Sequence, residues 1–412
     1  MNQTKELPKK IFNLTVLVAG LGYFVDIYDL QLFNLVSKAS LKGIGIVDPV
    51  LIDKYDYTLF LYQMAGMLVG GLLWGFLGDR KGRKSIMFGS ILLYSIANIC
   101  NGFVHDINTY SAVRFLAGLG LAGELGAAVT LVSETIHKEH RGWGTMMIVT
   151  LGALGAVAAN LIVHEFSWQN SYFIGGGLGL CLLLLRVGTF ESGMFDAVKN
   201  SDVSKGNFFN LFKNKKRLLT YLSCIGVGLP VWFCVGILIK FSASIATATH
   251  VVGGNVDVRN AIMYSYLGLS FGDLICGALS QLLRSRRKVV MGYLTVTIVL
   301  VSVYLFRTDI SLSLFYFMCF MIGSATGYWA LFVTIASEQF GTNIRATVTT
   351  TVPNFVRGAV IPITLSFKAL EKTQGTIHSA LIVGSVCISI AFISILYLQE
   401  TFAKDLDYIE TE

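Results

Sequence analysis

The chain has 412 residues, 54% of them hydrophobic and only 14% charged, and 32 Lys and Arg against 25 Asp and Glu leave a net charge of +7. Soluble domains carry roughly 25% charged residues, so this composition, with a mean hydropathy of +0.65, excludes a large soluble globule. The basic residues fall in short clusters between apolar runs, which is the pattern of membrane topology signals and not of a nucleic-acid binder.

Lys9 and Lys10 precede a first apolar run that continues past Gly22, Asp26 and Asp29. A cleavable signal peptide has a shorter apolar region and a small-residue cleavage site, so this run reads as a retained helix. At about 20 residues per crossing, the first half yields spans at 11–37, 56–78, 85–104, 109–134, 143–165 and 168–189. The second half yields 218–242, 259–283, 289–306, 311–336, 347–369 and 376–398. Helices satisfy their own backbone in lipid, so the expected fold is an all-α membrane protein with twelve transmembrane helices in two six-helix bundles. The bundles are 1–189 and 218–412, the latter ending in a short tail. The linker 190–217 between them holds Lys199, Lys205, Lys213, Lys215, Lys216 and Arg217.

If spans alternate, Lys9, Lys10, Arg80, Lys81, Arg83, Lys84, Lys138, Arg141, the linker cluster and Arg284 to Lys288 all fall on one side. The other side holds only Lys42, Lys54, Arg259, Arg307 and Lys372. The positive-inside rule then puts both termini in the cytoplasm. Short loops and the lack of appended domains point to a bacterial inner membrane. All seven cysteines lie within apolar runs, which suits small core residues and no disulfide framework.

The halves repeat. Ser133-Glu134 is followed by Arg141-Gly142, and Ser337-Glu338 by Arg345-Ala346, at an offset of 338 − 134 = 204. The run Gly75-Phe76-Leu77-Gly78-Asp79-Arg80-Lys81-Gly82-Arg83-Lys84 has a decayed counterpart in Gly277-Ala278-Leu279-Ser280-Gln281 and Arg284 to Lys288, at 277 − 75 = 202. Parallel six-helix repeats are therefore expected, with pseudo-symmetry between the bundles.

The ten residues Gly75 to Lys84 resemble the signature loop of the major facilitator superfamily. Arg114-Phe115-Leu116-Ala117-Gly118-Leu119-Gly120 resembles its fourth-helix motif, and the Glu134/Arg141 and Glu338/Arg345 elements resemble the paired helix-end motifs of its sugar and organic-acid porters. Glu191-Ser192, with Gly193 where Pro is usual, and the tail Glu400 to Leu406, with Phe402-Ala403 for Lys-Gly, resemble further elements of that group. Gly22 to Asp29 and Ala122-Gly123-Glu124 are similar to the metabolite–proton and phosphate–proton symporter branches. The resemblance implies a conformational switch in which Gly75, Asp79, Arg80, Gly82, Arg83, Glu134, Arg141, Glu338 and Arg345 hold the halves together on the cytoplasmic side. Positive-inside anchoring accounts for the basic members of this set but not for Asp79, Glu134 and Glu338.

Charges within the spans need reasons, since each costs about 2.5–3.5 kcal/mol at mid-membrane on insertion scales. Asp26 and Asp29 lie three apart on the first helix, and Arg114 lies near the outer end of the fourth. A pair of one of these acids with Arg114 satisfies both groups, and the resemblance gives such a pair a role in proton coupling; the plainer alternative is a structural lock. Glu124, ten residues beyond Arg114, is about 15 Å deeper. It is a candidate proton carrier or a carboxylate held by Thr130 or a carbonyl. Arg357, with Asn354 one turn before it, is a candidate grip for a substrate carboxylate or phosphate, or else it neutralises Asp273. Tyr28 joins the substrate-binding candidates, while Tyr23, Trp74, Trp232, Tyr264, Tyr266 and Trp329 are cavity or packing aromatics. Lys240 is expected to snorkel and Arg186 to anchor topology.

These residues point to proton-coupled symport of a small organic anion by alternating access. A sugar or phosphate porter, an uncoupled facilitator and a non-transporting membrane sensor are the alternatives. The expected partners are the anionic solute, protons and the lipid bilayer, with no nucleic acid and the protein monomeric. No metal cluster, nucleophile–base pair or phosphate loop supports an enzyme, and no cofactor is expected beyond the proton gradient.

Overall fold

The structure, a computed structural model, describes residues 14–137, 140–186, 208 and 210–406. Lys9, Lys10, Lys138, Glu191 to Gly193, Lys199 and Lys205 lie outside these residues, and Arg83 is described by its backbone alone. The first half comprises α1 (Leu14–Gly43), α2 (Pro49–Lys81), α3 (Arg83–Asn101), α4 (Ile107–Leu121), α5 (Glu124–Thr135), α6 (Arg141–Glu165) and α7 (Trp168–Leu185). The second has α8 (Asn210–Lys213), α9 (Lys215–Phe233), a π-helical continuation (Cys234–Ile239), α10 (Ser242–Ala248), α11 (Val258–Leu282), α12 (Arg286–Phe306), α13 (Leu312–Ala325), α14 (Trp329–Gln339), α15 (Arg345–Gly358) and α16 (Val360–Tyr397).

Among the described residues, nine helical stretches are long and apolar enough to cross a membrane. One of them, Arg345–Tyr397, holds two crossings, because Gly375 (φ 75°) bends the backbone between them. The shorter α3 and α7 complete twelve. The segment 38–55, read from sequence as a loop, is mostly helix. Asp48 accepts a hydrogen bond from the Val50 amide and Pro49 presets the first turn, so α2 begins seven residues before its expected start at 56.

Two crossings expected to be continuous are broken. The fourth splits between α4 and α5 at Ala122–Gly123, and the tenth between α13 and α14 at Thr326–Tyr328. A break frees backbone groups that cannot stay unpaired in a bilayer. The Ala122 carbonyl accepts from Asn354 Nδ2 at 2.7 Å, and the Ala330 amide donates to Asp273 at 2.9 Å. The first helical residues after the breaks, Glu124 and Trp329, lie 205 apart, so the interruption belongs to the repeat.

Close packing repeats too. A Cβ on Gly66 would lie 2.1 Å from the Phe115 carbonyl oxygen, and one on Gly268 would lie 2.0 Å from that of Phe320. Only glycine lets α2 approach α4, and α11 approach α13, so closely. The halves meet along α2 against α15 and α6 against α11. Near the basic face, the one bearing Lys81, Arg141, Arg286 and Arg287, the Ser133 and Ser337 hydroxyls touch at 3.3 Å. Residues 204 apart thus meet on the pseudo-two-fold axis. Arg141 Nε donates to the Ser133 carbonyl at 2.7 Å and Arg345 Nε to the Ser337 carbonyl at 3.2 Å, the same bond in each half.

Candidate functional site

The basic face is closed. Asp79, at the end of α2, accepts from the Ala346 amide at 3.1 Å and from the Thr347 amide and hydroxyl at 2.8 and 2.6 Å. These amides open α15, so a carboxylate of one half caps a helix of the other and faces the positive end of its dipole. Gly75 allows this approach, since a Cβ there would lie 2.9 Å from Thr347 Cα. Gly82, at φ 97°, makes the turn into α3 that a side chain would strain. Arg80 lies over the Phe76 ring at 4.1 Å.

The helix-end carboxylates pair outside their own motifs. Glu134 pairs with Arg345 at 3.0 Å across the halves, whereas Glu338 pairs with Arg286 at 3.2 Å in its own half. Arg141 donates to the Lys404 carbonyl at 2.9 Å. Glu400 accepts from the Ser285 hydroxyl and from the Arg286 and Arg287 amides, so the tail caps α12. Burial alone would raise the Glu400 carboxyl, but these donors hold it below the usual carboxylate range.

At mid-membrane, Asp26 of α1 meets Arg357 of α15 at 3.6 Å, both buried. Of the two acids expected to face Arg114, Asp26 is thus taken by Arg357, which leaves Asp29, and among the described residues Arg357 does not neutralise Asp273. Asp273 instead satisfies the broken tenth span through the Ala330 amide. Arg357 also donates to Asn354 Oδ1 at 3.4 Å and to the Tyr23 hydroxyl at 3.3 Å, and it lies 5.9 Å over the Trp329 ring. Tyr23, Trp232, Tyr266, Trp329 and Arg357 line a central cavity of ≈ 20 Å³. That is room for about one water, so the site is contracted in this conformation. Asn354 is turned away, its amide donating to the Ala122 and Thr350 carbonyls. Tyr28 faces α7, donating to the Ser171 carbonyl at 2.9 Å.

Arg114 donates to Asn101 at 3.1 Å and Asn98 at 3.4 Å and is packed among Phe33, Tyr110 and Tyr172. Its charge acts on Asp29, but no hydrogen bond joins the two among the described residues. Glu124 is held by Arg186, and both are fully buried. Arg186 is therefore an ion-pair partner and not a topology anchor, and Thr130 bonds Thr349 instead of Glu124. Of the cysteines, Cys100 and Cys181 are exposed on the outside of the bundle.

On the far face a vestibule of ≈ 820 Å³ opens between the halves. Lys38, Lys54, Lys240, Arg259 and Lys368 on its lining outnumber Asp53, Asp56 and Asp257. Lys240 does not snorkel. It reaches Asn34 at 3.3 Å and Asp56 at 3.9 Å in the other half and lies 3.8 Å over the Phe60 ring. Below it, Gln31 Nε2 donates to the Tyr266 hydroxyl at 2.6 Å and separates the vestibule from the central cavity.

A model of the Major Facilitator Superfamily matches residues 19–365. The chain is 26% identical over 336 residues to a "Probable 4-methylmuconolactone transporter" of Cupriavidus pinatubonensis, covering 79% of this chain and 76% of that one. It is 26% identical over 381 residues to the 3-(3-hydroxy-phenyl)propionate transporter of Escherichia coli, covering 90% and 91%. Among solved structures, the proton:xylose symporter XylE bound to 6-bromo-6-deoxy-D-glucose superposes with a TM-score of 0.71 over 96% of this chain and 97% of that one, at 14% identity. The fold is therefore shared, and the relatives are transporters rather than enzymes. With two repeated six-span halves, a gated central cavity and a family match across most of its length, the chain is a multi-pass membrane transporter belonging to the major facilitator superfamily.

Proposed function

We propose that the protein is a proton-coupled symporter for a small organic anion, a carboxylate on a cyclic or aromatic skeleton. One observation carries this reading: the buried Asp26–Arg357 pair joins the two halves beside the central cavity. While Asp26 is ionised, it neutralises Arg357 and pins α1 to α15. Once Asp26 is protonated, the guanidinium lacks its counter-charge and can grip a substrate carboxylate. Proton and substrate then favour the same state, which is coupling in the thermodynamic sense. Tyr23, Trp232, Tyr266 and Trp329 supply flat apolar walls for a ring. The two relatives named above support an organic, ring-bearing solute.

In this reading the basic face is cytoplasmic, both termini lie inside, and the membrane is the bacterial inner membrane. The proton gradient is the driving force and no cofactor is needed. The structure then corresponds to a state closed to the cytoplasm, with its vestibule outside. Asp26→Asn mimics the protonated acid. In liposomes it should lose accumulation driven by an imposed pH gradient while keeping gradient-free exchange. Wild-type accumulation by this variant would overturn the coupling. Binding of neutral amides as tightly as the matching carboxylates, or preferential binding of phosphate or a sugar, would overturn the anion assignment.

A further inference from the structure

The first half contains a second line of polar groups that the central pair does not use. Ser90, Tyr94, Asn98 and Asn101 form one buried stripe on α3, at spacings of four, four and three. Opposite it, Asp29 lies beside Asn98, but neither of its carboxylate oxygens makes a hydrogen bond of full geometry among the described residues. The same holds for the Tyr94 hydroxyl, Ser95 Oγ, Asn98 Nδ2 and Arg114 Nη1. Buried polar atoms are almost always satisfied, by protein or by ordered water.

The glycines of α7 give these atoms their placement. A Cβ on Gly175 would lie 2.4 Å from Asp29 Oδ1, and one turn on, a Cβ on Gly179 would lie 2.1 Å from Ser95 Oγ and 3.1 Å from the Tyr94 ring. Asp26 lies one turn from Asp29 on α1. At Arg114 the line continues as hydrogen bonds. Tyr172 and Tyr110 share one at 2.9 Å, Tyr110 and Ser40 another at 2.9 Å, and Ser40 donates to the Ser37 carbonyl at 2.9 Å. Ser37 lines the vestibule. Either tyrosine can donate in the Tyr110–Tyr172 pair, and Ser40 can donate to Tyr110 once its proton leaves the Ser37 carbonyl, so the chain can reverse its polarity. The counterparts of the α3 stripe, 203 residues on, are different. Tyr293, Thr297 and Tyr304 each donate to a backbone carbonyl, and Val301 replaces Asn98.

We propose that this line is the entry route of the coupled proton and is separate from the path of the substrate. A proton from the vestibule is carried by a water molecule past the Ser37 carbonyl to the buried Ser40 hydroxyl. Each hydroxyl passes on its own proton as it receives one, through Tyr110 and Tyr172, and water bound among Arg114, Asn98 and Tyr94 delivers the proton to the Asp29 carboxylate. Asp26 then takes it from Asp29. Only O–H bonds break and form. Arg114 stays charged and orders the water. The titratable groups facing Asp29 are Asp26 and Tyr28 on α1, Tyr94 on α3, Arg114 on α4 and Tyr172 on α7, while Glu124 on α5 faces Asp26. This inference rests on the proton-coupled reading.

The test uses the full chain in liposomes with Tyr110→Phe, Tyr172→Phe and Ser40→Ala, each beside Asp26→Asn. The readouts are uptake under an imposed pH gradient, exchange without one, substrate Kd and Tm. The route predicts gradient-driven uptake slowed by about tenfold, or roughly 1.4 kcal/mol on the barrier, with exchange, Kd and Tm unchanged. Wild-type uptake in all three variants, with Asp26→Asn uncoupled, would overturn the route and leave the coupling intact. Loss of exchange and Tm in step with uptake would make the hydroxyls structural and would also overturn it. Wild-type accumulation in all four variants would remove the proton-coupled reading itself.

Discussion

The two halves meet at the basic face through repeat-equivalent positions, but the two joints are built differently. In one, Asp79 of the first half places a full negative charge on the amides that open α15. In the other, the equivalent position is Gln281, which lies against Gly142 at the start of α6. Glu134 likewise crosses to Arg345, whereas Glu338 turns back to Arg286 in its own half. One architecture therefore carries one joint latched by a carboxylate and one without, where Gln281 and the Arg286 guanidinium lie against Gly142 instead. Sequence similarity between repeats constrains the backbone more tightly than it constrains which joint bears the load when the face opens.

The largest effect is expected from breaking the charged joint at its ion pair. Glu134→Leu leaves Arg345 buried without its carboxylate, a loss of roughly 3–5 kcal/mol, and should lower the Tm of the purified protein. Glu338→Leu strands Arg286 in the same way but within one half, so it should cost similar stability without changing spin-label distances across the basic face. Equal effects of both on those distances would erase the distinction between the joints. Asp79→Asn comes next. Its charge-assisted bonds are worth about 1.5–3 kcal/mol, so the basic face should open in a population larger by roughly 10- to 100-fold, and turnover should fall while expression holds.

A smaller change should go the other way. Gln281→Asp puts a carboxylate at the start of α6 and adds about 0.3–1 kcal/mol of favourable charge–dipole interaction. It should bias the protein toward the closed basic face and slow substrate exchange. Faster exchange would mean that the Gln281 joint is not a latch. The smallest effect concerns Glu400. Its carboxyl is held below the usual range, so its stabilisation is complete above the unfolded value of about 4.3 and is lost as pH falls through its lower folded value. Glu400→Gln should lower Tm slightly at pH 7, and the gap from wild type should close under strong acid.

Much of this plan is legible in the chain. Apolar runs mark the crossings because a bilayer needs a fixed length of helix. The offset of 204 anticipates the repeat that brings Ser133 to Ser337. Pairing was harder to read. Asp26 and Arg357 each announce themselves as costly charges, but 331 residues separate them and nothing in the sequence says that they meet. Arg186 carries the usual look of an anchor because it ends a span, and only packing reveals Glu124 beside it. The sequence offers both Tyr28 and Tyr23, and only Tyr23 lines the cavity. Five residues turn a helix by about 140°, so the two tyrosines face different neighbours, and one sequence gives no phase. The breaks in the fourth and tenth spans had no proline to signal them, although Gly123 and Gly327 stand at the two sites.

The length of α2 has a kinetic consequence. Its 33 residues extend about 50 Å, well beyond a hydrocarbon core of about 30 Å. Lys81 ends the helix at the basic face and Lys54, near its other end, lines the vestibule, so a helix this long carries the vestibule rim toward bulk electrolyte. There, fields fade over about 8 Å at physiological ionic strength. Added salt should therefore slow the arrival of an anionic solute at this mouth, while leaving untouched whatever follows once the solute is below Gln31 and Tyr266.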